Sequence, residues 1–140
     1  MELASGVAAV EAKEFRRAFQ LLTPLGEAGE PEAQFRLGVM CQNGLGAVAN
    51  EETAVRWMRA AAEQGHGLAQ HGLGVMYLYG ECVERDERAA AEWFQRGAEQ
   101  GLAGSMTALA MMYEQGLGVA QDAERAKALY REAGFDDAVD

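Results

Sequence analysis

Few side chains in this 140-residue sequence could do covalent or metal chemistry. Hydroxyls come from Ser5, Ser105, Thr23, Thr53 and Thr107, imidazoles from His66 and His71, thiols from Cys41 and Cys82. A serine nucleophile of the Ser-x-x-Lys type is excluded, because Ser5 is followed three residues on by Ala8 and Ser105 by Ala108. His66 and His71 are five apart with Gly67 between them. They cannot share a helix face as the two ligands of His-Glu-x-x-His do, so the spacing offers no metal site. The Gly44-x-Gly46 and Gly116-x-Gly118 turns lack the third glycine, the preceding strand and the lysine that a phosphate cradle requires. Glu63 and Glu99 fall at helix ends rather than as a facing acid–base pair. No Cys-x-x-Cys occurs, and both thiols read as ordinary ones; a disulfide between them would need a geometry that sequence does not supply. These residues point to no enzyme, with no catalytic, cofactor or metal site.

What must position any functional residue is therefore the scaffold. The chain is 49% hydrophobic, with 17 Gly and 2 Pro, which allows a buried core built of punctuated helices. A net charge of -10 argues against gripping nucleic acid or anionic membrane surfaces. No stretch approaches the ~18 apolar residues of a membrane span, and Met1-Glu2-Leu3-Ala4 opens no basic-then-apolar leader. The chain as given is expected to be soluble and cytoplasmic; it would be periplasmic or secreted had a signal peptide been removed.

Sliding the sequence against itself by 36 aligns Ala33-Gln34-Phe35-Arg36-Leu37-Gly38-Val39-Met40 with Ala69-Gln70-His71-Gly72-Leu73-Gly74-Val75-Met76, and then with Ser105 to Met112. Residues 31–66 and 67–102 agree at 14 of 36 positions. This is an internal repeat. Each unit reads as two helices, about 31–43 and 51–64 in the first. Gly44 ends one helix in the left-handed conformation and Gly65 stops the other. Asn50, Asp86 and Asp122 stand at the N-caps of the second helices, with Ala54, Trp57, Met58 and Ala61 on a shared face. Trp57, Trp93, Leu37 and Leu73 are expected to fill the core. Residues 1–30 form a degenerate pair, with helices over 2–12 and 14–28, the latter kinked or cut short by Pro24. The expected organisation is one repeat domain with eight helices: 1–30, three repeats at 31–66, 67–102 and 103–137, and an acidic tail, Asp136 and Asp137 running into 138–140.

Leu73-Gly74-Val75-Met76-Tyr77, then Gly80, Val83, Asp86 and Ala90, and later Ala98-Glu99-Gln100-Gly101, resemble the Sel-one-like repeat, the longer relative of the tetratricopeptide repeat. The period of 36 and the loop Gly116-Leu117-Gly118-Val119 separate it from the 34-residue form. Two departures are Cys82 in place of the second loop glycine and Cys41 in place of the tyrosine. The third repeat also loses the Ala-Glu-Gln-Gly ending. One branch of the family carries a disulfide in each repeat; the cysteines here do not recur in register, which sets this chain apart from it. The resemblance implies an all-α, right-handed α/α superhelical solenoid of antiparallel helix pairs. It also implies a scaffold or adaptor that binds a protein or peptide.

In such a stack the first helix of each unit lines the concave face. Positions 2, 5, 9 and 12 of each unit share a helical stripe. On that stripe the candidate groove residues are Phe35, Val39 and Gln42; His71, Val75 and Leu78, with Tyr79 beside them; and Thr107, Met111 and Glu114. The stripe suits a peptide with apolar and basic residues. The competing reading is that it is simply core. The alternative function is a structural, self-associating unit, because solenoid fragments end in stacking faces. The expected state is a monomer or a weak homo-oligomer.

Overall fold

The computed structural model describes residues 2–135, and they form eight α-helices. These are α1 (Glu2–Glu11), α2 (Phe15–Glu27), α3 (Pro31–Asn43), α4 (Glu51–Glu63), α5 (Gly67–Tyr79), α6 (Glu87–Glu99), α7 (Ala103–Gln115) and α8 (Ala123–Glu132). The acidic tail expected from Asp136, Asp137 and Asp140 lies outside the described residues. The chain divides into two compact units, Met1–Ala69 and Gln70–Asp140, the boundary falling in the first turn of α5.

The repeated polar residues mark helix ends for the reason inferred from sequence. Asn50, Asp86 and Asp122 each accept the backbone N–H three residues on, at 3.0 Å. That satisfies a donor the helix itself cannot. Gly44 and Gly116 close α3 and α7 at φ 68° and 69°. The second loop position is also left-handed, at φ 76° for Gly46 and 69° for Gly118. A β-carbon there would run into the Phe15 or the Glu87 carbonyl oxygen, respectively. Cys82 takes the same conformation at φ 64°, so the substitution keeps the loop geometry despite the ~1–2 kcal/mol a side chain costs in that region.

In the first unit α1 packs on α2, α2 on α3 and α3 on α4. The interior is built from Ala9, Ala18, Leu22, Ala33, Leu37 and Met40. In the second unit Phe94, Leu109, Met112, Ala126 and Leu129 form the interior, with Leu78 of α5 against them. Small residues let helices approach: Ala54, Ala90 and Ala126 are all buried.

Two sequence expectations shift. Pro24 neither truncates α2 nor costs its last turn: the helix runs three residues further, and the Pro24 carbonyl accepts the Ala28 N–H at 3.0 Å. Trp57 and Trp93 are half-buried, whereas their neighbours Met58 and Phe94 are enclosed. The buried residues of α4 include Ala54, Met58 and Ala61, spaced by four and three residues, and position 57 is turned about 100° round the helix from Met58, toward the edge of that stripe. Trp93 instead lies under the Arg96 guanidinium, 4.5 Å from the ring centroid.

The recurring Ala-Glu-Gln-Gly ending has a structural role. Gln64 Nε2 donates to Gln34 Oε1 at 2.8 Å and to the Gly29 carbonyl at 2.9 Å. Gln34 is buried and donates in turn to the Gly26 carbonyl. Gln100 repeats the bond to buried Gln70, at 2.8 Å. In the third repeat the first-helix glutamine is Met106 and the register position of the second is Asp136, so donor and acceptor were replaced together.

Candidate functional site

The candidate face of the second unit is built outward from a fully buried hydroxyl. Ser105 lies in the first turn of α7 and is wholly enclosed. Its Oγ is 2.9 Å from His71 Nδ1 on α5. The His71 ring rests on Phe94 of α6, centroids 5.3 Å apart at 55°. Burial pushes the His71 imidazole below its ordinary pKa, favouring the neutral form. A serine against a histidine is also how a nucleophile is activated, but a nucleophile must meet its substrate, and Ser105 Oγ has no open side. Here the hydroxyl orients the ring.

Over this pair lies a shallow depression of about 390 Å³. His71, Val75, Leu78 and Tyr79 come from α5, and Gly104, Thr107, Ala108 and Met111 from α7. Phe94 and Tyr130 complete it from α6 and α8. It brings together six of the ten residues picked from sequence: His71, Val75, Leu78, Tyr79, Thr107 and Met111. Tyr79 is 66% exposed, whereas Leu78 is buried and forms the floor. Glu114 stands exposed nearby and accepts the Tyr130 hydroxyl at 3.3 Å. Burial, then the Glu114 charge and this hydrogen bond, hold the Tyr130 phenol above its ordinary pKa. Phe94, Ala108 and Tyr130 were not picked from sequence. Phe94 and Tyr130 are one period apart, a signal the stripe of first-helix positions could not contain because both sit on second helices.

Phe35, Val39 and Gln42 lie on α3, in the first unit, each half-buried. Phe35 stacks on His66, centroids 4.8 Å apart and 24° from parallel. His66 Nδ1 accepts the Ala69 N–H at 3.2 Å, which places the ring proton on Nε2, the atom 2.8 Å from Glu32 Oε1. Glu32 also pairs with Arg36 at 2.7 Å. Partial burial works to raise the Glu32 pKa, but the bonds to His66 and Arg36 outweigh it, and the carboxyl sits below its ordinary value. His66 is thus a cap on the start of α5 and a bridge to α3.

Other shallow surfaces are lined in part by charged side chains. One on α4 is flanked by Arg56, Arg59, Trp57 and Glu63, and one on the α6–α7 side by Arg88, Glu92, Arg96 and Tyr113. Among the described residues, no helix is long and apolar enough to cross a membrane.

Helix pairs of 36 residues, with capped loops and glutamine ties, define a class of α-solenoid repeat. The Sel1 repeat family matches residues 31–66, 67–102 and 103–134, and the chain belongs to that family. Its members are generally protein–protein interaction scaffolds. The chain is similar to a Sel1 repeat protein from Oxalobacter formigenes, with 30% identity and a TM-score of 0.90 over 94% of this chain and 53% of that one. It is similar also to c5321, a protective antigen present in uropathogenic Escherichia coli strains and displaying an SLR fold. There the identity is 31% and the TM-score 0.89, over 94% of this chain and 29% of that one. The chain therefore spans about half the length of the first and under a third of the second. No curated protein matches it.

Proposed function

We propose that this chain is a non-enzymatic interaction module that captures a peptide or protein segment on the face presented by its first helices. The repeat domain would consist of the degenerate pair at 1–30 and the three repeats that follow. One observation carries the reading. Six side chains picked from sequence for a shared stripe meet in one apolar depression of the second unit, with Tyr79 standing largely in solvent at its edge. A large aromatic side chain left exposed at the edge of an apolar concavity is what a binding surface needs and what a packed interior does not leave. The overall charge of -10 favours a partner segment with basic character. The wholly buried Ser105 supports binding rather than hydroxyl catalysis.

The test substitutes Phe35 and Tyr79 by alanine together and compares capture of partner segments with thermal unfolding. Loss of capture with an unchanged melting curve supports the proposal. A large loss of stability with retained capture would show that the two rings serve the core. Light scattering addresses self-association: a monomer mass at every concentration removes the structural, self-assembling alternative.

A further inference from the structure

Four departures from the internal repeat converge on one spot of the second unit. Ser105 stands where the earlier repeats have Ala33 and Ala69, and His71 where its counterparts are Phe35 and Thr107. Gly97 replaces Ala61, and Gly104 replaces Glu32 and Leu68. The four are physically linked. A β-carbon at position 97 would collide with Ser105 Oγ, so the glycine makes room for the hydroxyl. The hydroxyl holds His71. A β-carbon at position 104 would sit 3.4 Å from His71 Cε1 and 3.8 Å from Nε2, so this glycine leaves that edge of the ring uncovered.

The proton on the ring can be located. Ser105 Oγ is fully buried, and its hydrogen-bond partner is His71 Nδ1. A buried hydroxyl hydrogen without an acceptor is costly, so the hydroxyl donates to Nδ1. The neutral ring then carries its hydrogen on Nε2 and offers an N–H donor to the depression. None of the residues lining the depression is Lys, Arg, Asp or Glu. Beside it, the Glu114 carboxylate binds the Tyr130 hydroxyl through one oxygen, which leaves the other oxygen for a ligand.

We infer that this depression reads a short peptide signal, an apolar side chain followed by a lysine or arginine, with His71 Nε2–H donating to a peptide carbonyl and Glu114 pairing with the basic residue. The apolar side chain enters over Leu78 and Met111. Charge complementarity selects the occupant: Glu114 beside the depression is acidic, in a chain whose net charge is also negative. This deepens the proposed function and rests on it.

The experiment pans octapeptides displayed on phage against the whole chain. It then maps the selected peptides, synthesised, by backbone amide shifts and fluorescence polarisation. The expected result is enrichment of an apolar–basic pair, with shifts centred on α5 and α7. H71F, which installs the residue of the first repeat, should weaken these peptides about fivefold, the worth of one ordinary hydrogen bond. E114Q, at an exposed position that leaves folding intact, should erase the preference for Lys or Arg over Gln. Peptides that shift the depression but carry no basic preference, or bind H71F and E114Q as well as the parent, overturn this inference and leave the groove reading standing. Peptides that shift no residue of the depression overturn both.

Discussion

A close helix contact in the second unit makes an exacting prediction. Gly74 on α5 faces the ring of Phe94 on α6: a β-carbon added there would lie 2.6 Å from Cε1, 2.7 Å from Cδ1 and 2.9 Å from Cζ. Phe94 is fully buried, so its ring has no empty space to turn into. Carbon atoms prefer about 3.5–4.0 Å, so the added methyl intrudes by about 1 Å. Overpacking of this kind costs about 1–3 kcal/mol, and a contact this short belongs at the upper end. Replacing a mid-helix glycine returns about 1 kcal/mol of helix propensity. The net expectation for Gly74→Ala is a loss of about 2 kcal/mol, a large share of the ~5–15 kcal/mol of a domain. Phe94→Met, the residue found at Met58 one period earlier, should cost less than about 1.5 kcal/mol alone. The double variant removes the collision and keeps the propensity gain, so it should fall within about 1 kcal/mol of the parent, a coupling of about 3 kcal/mol, the whole of the collision. Urea unfolding followed by helical circular dichroism measures all four corners of the cycle. Additive single effects, or a neutral Gly74→Ala, would refute the reasoning, since either means the ring yields freely.

Other outcomes follow from the same physics. Gln100→Ala should cost about 1–3 kcal/mol by leaving the buried Gln70 amide without its donor, and Gln64→Ala should behave alike; a loss confined to a few tenths in urea midpoints would deny the tie a structural role. Asp86→Ala removes the cap on α6 and should cost about 1 kcal/mol, whereas Asp86→Asn should nearly restore it, both read by thermal unfolding. Because burial lowers the His71 pKa, the unfolded chain takes up a proton that the folded chain refuses as pH falls below the ordinary histidine value of about 6.5. Stability should therefore decline from pH 6.5 downward to the lowered folded value, and H71F should lack that component; parallel pH profiles for the two proteins would contradict it.

Much of the architecture was legible because its punctuation is chemical. Asn50, Asp86 and Asp122 mark caps, Gly44 and Gly116 mark left-handed ends, and the period then locates every helix to within a residue or two. The choice between adjacent large residues was not legible. Trp57–Met58 and Trp93–Phe94 differ by one position, and which of each pair turns inward depends on where the alanine stripe meets the neighbouring helix. The candidate site was half legible for a related reason. A stripe on the first helices contains His71, Val75 and Met111, but its floor and edge also need Phe94 and Tyr130 from second helices. Ser105 carried no motif at all. Its meaning lies in the company of Gly97 and His71, 8 and 34 residues away in sequence.

The ties between helices also say something about how such a chain comes to be folded. Gln34 with Gln64, Gln70 with Gln100, His66 with Glu32 and His71 with Ser105 join residues only 30 to 34 apart. No partner in these bonds must wait for a distant part of the polypeptide to be made. Loop-closure entropy is therefore modest at each step, and a chain emerging from the ribosome can settle one repeat after another, with rapid kinetics and without long-lived exposed intermediates. The same arithmetic makes a whole 36-residue repeat the natural quantum of insertion or deletion. Adding or removing one in register leaves each glutamine tie with a partner of the same kind, because Gln34–Gln64 recurs as Gln70–Gln100, whereas the two histidine bonds belong to single repeats.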